Sequence, residues 1–592
     1  MHQGEERAKR RAVRIGLIAG GLALTMACQS LSSHGPGSAG GKNAANPFPS
    51  QAELDKLGPA PPASELARLE VDEVDSWTLQ GPFPDRVEDA PRPAGSPWEE
   101  ILDQAVARRA GLAVVTEAMQ CTARELGHFL LVRGKLPPPT LLEFMAARCG
   151  APVAEVTHLY VKGAIPATVD DSQVREQWRP QLDQLLSQAL AGGPATAGLW
   201  FGRDGDRAVV AVVAAPRRVL IAPFSPVETG DRLIFGGEVV GNPDGVTAWA
   251  NRGALGFTEC DRDPKVALPR FAFSCALDPD DPFAVIDVAA RERGRILAEG
   301  VLRVLARRPG KEAREWRRTR HAAMRPASTP EDFTLGVAEV LGDVRKKADL
   351  HPLVLSKSQS EQVAELVPHV LAGELGIGPS AVSDLAALGV LAGYRVGGSI
   401  KDAGMTSAAL AGPMDSGLWV DTALEEPMGR SALLDPDARV LAVGAMASEK
   451  PPVLVAIAAT YQLFGEEDLN AEAARYAQRV AQVRSGQGKS APKPLASVQA
   501  VAEHAAQTLA KSKIEPQVAL NDALAKAGSV VGRPVRGWYV EGRRVEDLPI
   551  PDDLSNWDSL EMAVAVGYYQ PADEPWGRLV VFVIALPPEV GI

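Results

Sequence analysis

The sequence predicts an α+β fold: several layered units with helices on both faces of a small sheet, plus one small antiparallel β-sandwich. Three observations carry this expectation. An amphipathic helix followed downstream by a glycine-bearing apolar hairpin occurs three times, with the hairpins at Gly198, Gly444 and Gly567. Residues 216–310 hold short alternating or β-branched runs separated by turn residues, the pattern of a small sandwich. The 46% hydrophobic and 23% charged fractions are those of soluble globular protein, and 592 residues exceed what a single core supports.

Residues 1–28 read as a targeting segment. Arg7, Lys9, Arg10, Arg11 and Arg14 precede an apolar run, Ile15 to Ala27, too short to cross a bilayer comfortably. The run ends Leu24-Thr25-Met26-Ala27-Cys28, which resembles the bacterial lipobox, whose cysteine takes the lipid and becomes the new N-terminus. Cys28 is the lipidation candidate; the other reading is a secretory signal cut nearby. Both imply export, to the outer membrane or the periplasm. Residues 29–96, rich at first in Ser, Gly, Pro and Asn and then acidic, read as a disordered tether and lead-in, because they offer little apolar surface to bury.

The first layered unit spans 97–215. Val115, Met119, Thr122, Leu126, Phe129 and Leu130 recur at helical spacing, and the three prolines before Thr140 start a second helix closed by Gly150. A third helix is expected over Gln177–Ala191, followed by two strands around Asp204-Gly205-Asp206. The sandwich occupies 216–310, and the basic stretch 311–328 reads as a solvated connector. The second layered unit, 329–466, carries Val363, Leu366, Val367, Val370 and Leu371 on one helical stripe before its hairpin. The third, 467–592, repeats the plan with Val498, Val501, Ala502, Ala505 and Leu509.

Within the second unit, Pro427-Met428-Gly429-Arg430-Ser431-Ala432-Leu433-Leu434 resembles the Ser-Pro-Gly-His-Arg-x-x-Leu-Leu signature of CAP domains. These are the SCP-like cysteine-rich secretory, antigen 5 and pathogenesis-related group. Upstream, Asp349-Leu350-His351-Pro352-Leu353 resembles that family's opening motif, and Val440 to Met446 its closing strands. The resemblance implies degenerate α-β-α sandwiches. It also implies a cleft of two histidines and two acids able to hold a divalent metal. The signature histidine falls on Gly429, and glycine offers no imidazole, so a degenerate cleft position is expected there.

Net charge −12 with pI near 5.4 argues against a nucleic-acid partner. With Cys28 set aside, Cys121, Cys149, Cys260 and Cys275 remain; three pairings are open, and proximity favours Cys121–Cys149 and Cys260–Cys275 in an oxidising compartment. His128 is the best placed of the 8 histidines, while His158, His321 and His504 lack partners at metal spacing. Ser485 to Ser490 imitates a phosphate loop but lacks its first glycine, at Val483. The aromatic residues Trp538, Tyr539, Tyr568, Tyr569 and Trp576 are read first as core and second as a platform for glycan or lipid. The chain therefore reads as a non-catalytic envelope protein, without cofactor or metal. Its expected partners are a membrane, met through the lipid, and an envelope ligand that is glycan, lipid or protein. The alternative is an envelope hydrolase whose active site these patterns do not reveal.

Overall fold

The computed structural model describes residues 48–587, apart from 60–70, 93–94, 110, 191–192, 228–229, 293–297, 312–313, 375–379, 413, 450–451, 466–467, 513 and 573. Cys28 lies outside the described residues. The fold is α+β, as expected: three layered α-β-α units and one antiparallel sandwich.

The lead-in is more ordered than its composition suggests. Helix α1 (Gln51–Leu54) is capped by Ser50 and Glu53 in a reciprocal box. Phe48 and Leu54 are buried against the second unit, and the Tyr394 hydroxyl donates to Pro49 O. Strand β1 (Ser76–Thr78) follows. Beyond it, Arg148 donates to Gly81 O at 2.7 Å and Pro82 O at 2.8 Å. Such charge-assisted bonds hold a proline-rich strand-poor segment that has no ladder of its own.

The first unit comprises α2 (Glu99–Ala107), β2 (Ala113–Val115), α3 (Glu117–Arg133), α4 (Pro139–Arg148), β3 (Thr157–Ala164), α5 (Asp171–Ala189), β4 (Ala195–Asp204) and β5 (Arg207–Pro216). Helix α5 starts six residues before the expected Gln177, because Asp170 caps it by accepting from Ser172 N. The sandwich pairs one sheet of β6 (Val219–Ile221), β7 (Arg232–Val239), β10 (Asp261–Arg262) and β11 (Arg270–Ala276) with a second. That second sheet holds β8 (Pro243–Arg252), β9 (Gly256–Glu259), β12 (Phe283–Glu292) and β13 (Ala298–Arg307). Strand β14 (Glu315–Arg317) then pairs with β1. The basic stretch is therefore no solvated connector: Trp316, Arg318 and His321 are buried.

The second unit holds α6 (Pro330–Lys347), β15 (Val354–Leu355), α7 (Lys357–Glu374), α8 (Ser380–Ala392), β16 (Ile400–Ala411), α9 (Ser416–Leu424), α10 (Pro427–Leu433), β17 (Val440–Glu449) and β18 (Pro452–Leu463). The third holds α11 (Leu469–Gly486), β19 (Lys493–Pro494), α12 (Ala496–Ser512), α13 (Pro516–Val531), β20 (Arg536–Gly542), α14 (Asp552–Asn556), β21 (Glu561–Tyr569) and β22 (Arg578–Leu586). Their sheets run β2-β4-β5-β3, β15-β17-β18-β16 and β19-β21-β22-β20, each with its first pair parallel and the rest antiparallel.

One physical reason explains the apolar second strand of each hairpin: it is buried on both faces. Along β5, Val209, Ala211 and Val213 join the α3–α4 core while Val210, Val212 and Ala214 join the α2–α5 core. Strand β18 divides in the same way, with Val455, Ile457 and Ala459 on one side and Leu454, Ala456 and Ala458 on the other. So does β22, through Val580, Phe582 and Ile584 against Val581, Val583 and Ala585.

The hairpin glycines sit where a helix lies directly on the sheet. A Cβ at Gly198, Gly444 or Gly567 would come under 3.0 Å from backbone atoms of Met119, Ala364 or Ala506 respectively. Buried arginines close two of the units. Arg345 at the end of α6 donates to the carbonyls of His351, Leu433 and Asp435, and Arg484 at the end of α11 to those of Ser490, Leu554 and Trp557. Both favoured disulfides are present, Cys121–Cys149 within the first unit and Cys260–Cys275 within the sandwich.

Candidate functional site: a buried charge junction between three units

The second sheet of the sandwich has two neighbours on its outer face. At one end Phe283, Val285 and Leu305 pack on the first unit, where Phe144 meets Phe283 at 5.8 Å between ring centres. At the other, Trp249, Ala289 and Ala298 enclose Met428 of α10. Between these apolar contacts lies a group of charges.

Arg303 of β13 and Asp287 of β12 are directly opposed across the two strands. The guanidinium Nε donates to Asp287 Oδ1 at 2.7 Å, and Nη2 lies 2.9 Å from Glu426 Oε2. Nη1 donates to Glu143 Oε2, from the middle of α4. All four side chains are at least 90% removed from water. Three of them sit alone in apolar runs, Leu-Leu-Glu143-Phe-Met, Val-Ile-Asp287-Val-Ala and Val-Leu-Arg303-Val-Leu, and Glu426 follows Glu425 at the start of α10. Helical and strand periodicity put these charges on faces that a second unit then covers.

Three carboxyls face one guanidinium. Burial pushes Glu143 well above the ordinary carboxylate range, with the neighbouring Glu426 adding to it and Arg303 opposing. Asp287 is raised for the same first reason, against the pull of Arg303. Arg303 itself is held protonated: burial disfavours its charge, but Asp287, Glu426 and Glu143 together overcome that and raise it further. Glu425 lies beside them, 3.9 Å from Arg318 Nε, and burial raises it to about 7.

Further polar contacts pin α10 to the sandwich. Arg430 donates from Nε to Leu424 O at 2.8 Å, and from Nη1 to Gly256 O at 2.8 Å and Gly253 O at 3.1 Å. Asn251 Nδ2 donates to Glu425 O at 3.1 Å. Asp421 Oδ1 accepts from the backbone N–H groups of His321 and Ala322. His321 is neutral at ordinary pH, since burial and then the nearby Arg430 and Lys347 push its pKa to about 4.

Gly429 lies on α10 inside this interface. A Cβ there would come under 3.0 Å from Ala423 O, so the position holds a close backbone crossing. Among the described residues no group of three or more His, Cys, Asp or Glu is placed to hold a metal ion. His158 is buried in β3, and burial lowers its pKa to about 4. His128 stands at an open cavity of about 360 Å³ with Trp77, Gln80 and Val132, its ring 5.9 Å from that of Trp77. A second cavity, about 230 Å³ and largely apolar, lies beside Leu159, Gln188 and Pro194.

The remaining sequence candidates resolve into structure. The turn Asp204–Asp206 joins β4 to β5, with Asp204 paired to Arg207. Asp281 accepts from Gly253 N at 2.6 Å. Ser485–Ser490 is the end of α11 and the turn after it. Trp576 is buried, donating to Leu391 O at 3.0 Å and lying 4.7 Å from the Phe48 ring, so it forms the seam between the second and third units. Trp538 packs on Trp557, and Tyr568 on Phe464. Arg303, Asp287, Glu143 and Glu426 were not picked out from sequence; the signal present was a lone charge inside an otherwise apolar run.

No known family profile matches this chain, and no curated protein matches it. Solved structures that are similar in part include two extracellular or secretory proteins. One is an extracellular protein containing a SCP domain from Bacillus anthracis str. Ames, 10% identical over 41% of this chain and 67% of the other, with a TM-score of 0.17. The other is a cysteine-rich secretory protein from Staphylococcus aureus subsp. aureus Mu50, 12% identical over 45% and 83% of the respective chains, also with a TM-score of 0.17. Likeness at that level carries no weight of its own, and the layered units rest on their own sheets and helices.

Proposed function

We propose that this chain is an exported, lipid-anchored and non-catalytic protein of the cell envelope, a binding or structural module of three degenerate CAP-like units and a β-sandwich. The observation that carries the reading is Gly429. At the place of the signature histidine there is room for a hydrogen and nothing larger, and the helix bearing it is covered by the sandwich. A side chain that cannot exist there cannot bind metal or move a proton. The shared element order of the three units supports their descent from one ancestor, and the two disulfides support an oxidising compartment. The ligand class is an envelope glycan, lipid or protein.

Gly429→His is the direct test. It is expected to destabilise the chain by about 3 kcal/mol or more by overpacking and to bind no more zinc than the parent in calorimetry. A variant with the parental unfolding midpoint and one bound zinc would sink the reading. For the anchor, Cys28→Ser is expected to move the protein from the membrane to the soluble fraction. Unchanged partitioning would refute the lipid.

A further inference from the structure

We propose that docking of the first unit and the sandwich onto Glu426 takes up at least one proton, shared between the Glu143 and Glu426 carboxyls, so that this junction is a latch closed by protons and opened as pH rises. It does not depend on the lipid or on the ancestry of the units.

The inference starts from a charge count. Glu143, Asp287 and Glu426 offer three negative charges to the single positive charge of Arg303, and all four groups are out of water. Closing the junction with every carboxyl ionised would bury a net charge of about −2, which is far dearer than protonating one acid. The hydrogen bonds point to the same place. Asp287 satisfies both oxygens on Arg303, but Glu143 Oε1 and both oxygens of Glu426 are buried with no hydrogen-bond donor from the chain, Glu426 Oε2 having only its ion pair with Arg303. The two carboxyls face each other within hydrogen-bonding reach. Two adjacent orphan acceptors are what a single shared proton satisfies.

Charged groups face the pair from every element packed around it. From α4 comes Glu143; from β12 and β13, Asp287 and Arg303; from the start of α10, Glu426 and Glu425. Arg318, the cation nearest Glu425, is already held by Glu73 of the lead-in at 2.5 Å. Arg430 interacts with Glu425 and Asp281, and Asp421 adds a further negative charge near Glu425. Arg303 is the cation that acts on Glu143.

The sign follows from the raised acids. An acid whose pKa is higher in the docked state binds its proton more tightly there. Its contribution is complete below the ordinary carboxylate range and disappears as pH climbs through the raised value. Glu425, raised to about 7, adds to the effect in the same direction.

Hydrogen exchange of the purified mature chain, corrected for intrinsic rates, tests the latch between pH 5 and 9. Protection in peptides 139–148 and 424–434 is expected to fall by up to about tenfold per pH unit for each linked proton. Peptide 579–586, in the core of the third unit, is expected to stay flat. In Glu143→Gln or Glu426→Gln the amide replaces the shared proton, so protection at the junction should persist and its pH slope should shrink to the part that Glu425 and Asp287 contribute. Flat or rising junction protection in the parent would overturn the proposal, even if neither variant folds. So would an undiminished slope in a folded Glu143→Gln protein.

Discussion

Arg303→Leu is expected to destabilise the chain by about 3–5 kcal/mol, because it leaves three buried carboxyls with no cation. The loss should be larger at pH 8 than at pH 5. Without the guanidinium, Glu143 and Asp287 lose the pull that opposes their burial, and acid pH neutralises them while alkaline pH forces the charges to remain. Urea unfolding followed by tryptophan fluorescence, to which Trp249 at this face contributes, reads the effect. Arg303→Leu combined with Asp287→Leu, Glu143→Leu and Glu426→Leu should recover most of the loss, since an apolar replacement of the whole group leaves nothing unpaired. A loss under about 1 kcal/mol at pH 8 would mean that the group contributes little to docking.

Gly444→Ala is expected to cost about 3 kcal/mol, the upper end for overpacking, although it adds a single methyl. The atoms in its way are the backbone of Val363 and Ala364, which cannot turn aside as a side chain would. The helix α7 must lift from β17, and the core of Val363, Val367, Ile457 and Ala459 opens with it. Gly342→Ala is the matched control. It lies within α6 with nothing near its absent Cβ, and it should stabilise by about 0.5–1 kcal/mol through helix propensity. Thermal unfolding of the two variants side by side separates steric from conformational effects. Equal shifts would refute the close crossing.

The two outcomes bear on how much of the molecule was legible in one dimension. The hairpins were legible because a strand buried on both faces must be apolar along its buried stretch, as residues 208–215, 454–459 and 579–586 are. The helix stripes at Val363–Leu371 and Val498–Leu509 were legible for the matching reason, a period set by helix geometry alone. The two disulfides followed from nearness along the chain. Short strands such as β2, β15 and β19 were not, since two or three residues carry no period.

The charged segment 311–328 shows where local reading stops. Composition described it as a solvated cation run, yet it supplies the β14 partner of β1 and the buried Arg318 that meets Glu73 from 245 residues away. The lead-in misled in the same way, for Phe48 and Leu54 bury themselves in a core formed more than 300 residues later.

Local spacing and composition thus settled the α+β class, the helix faces and the two-faced hairpins. Each of these depends on residues close in the chain, whose geometry is set by backbone periodicity and steric size. The charge junction belongs to the three-dimensional arrangement. Glu143, Asp287, Arg303 and Glu426 come from three units, and a charge in an apolar run gives no indication of which distant opposite charge will neutralise it. Only the packing of those units, which removes water from all four groups together, turns isolated charges into one coupled site.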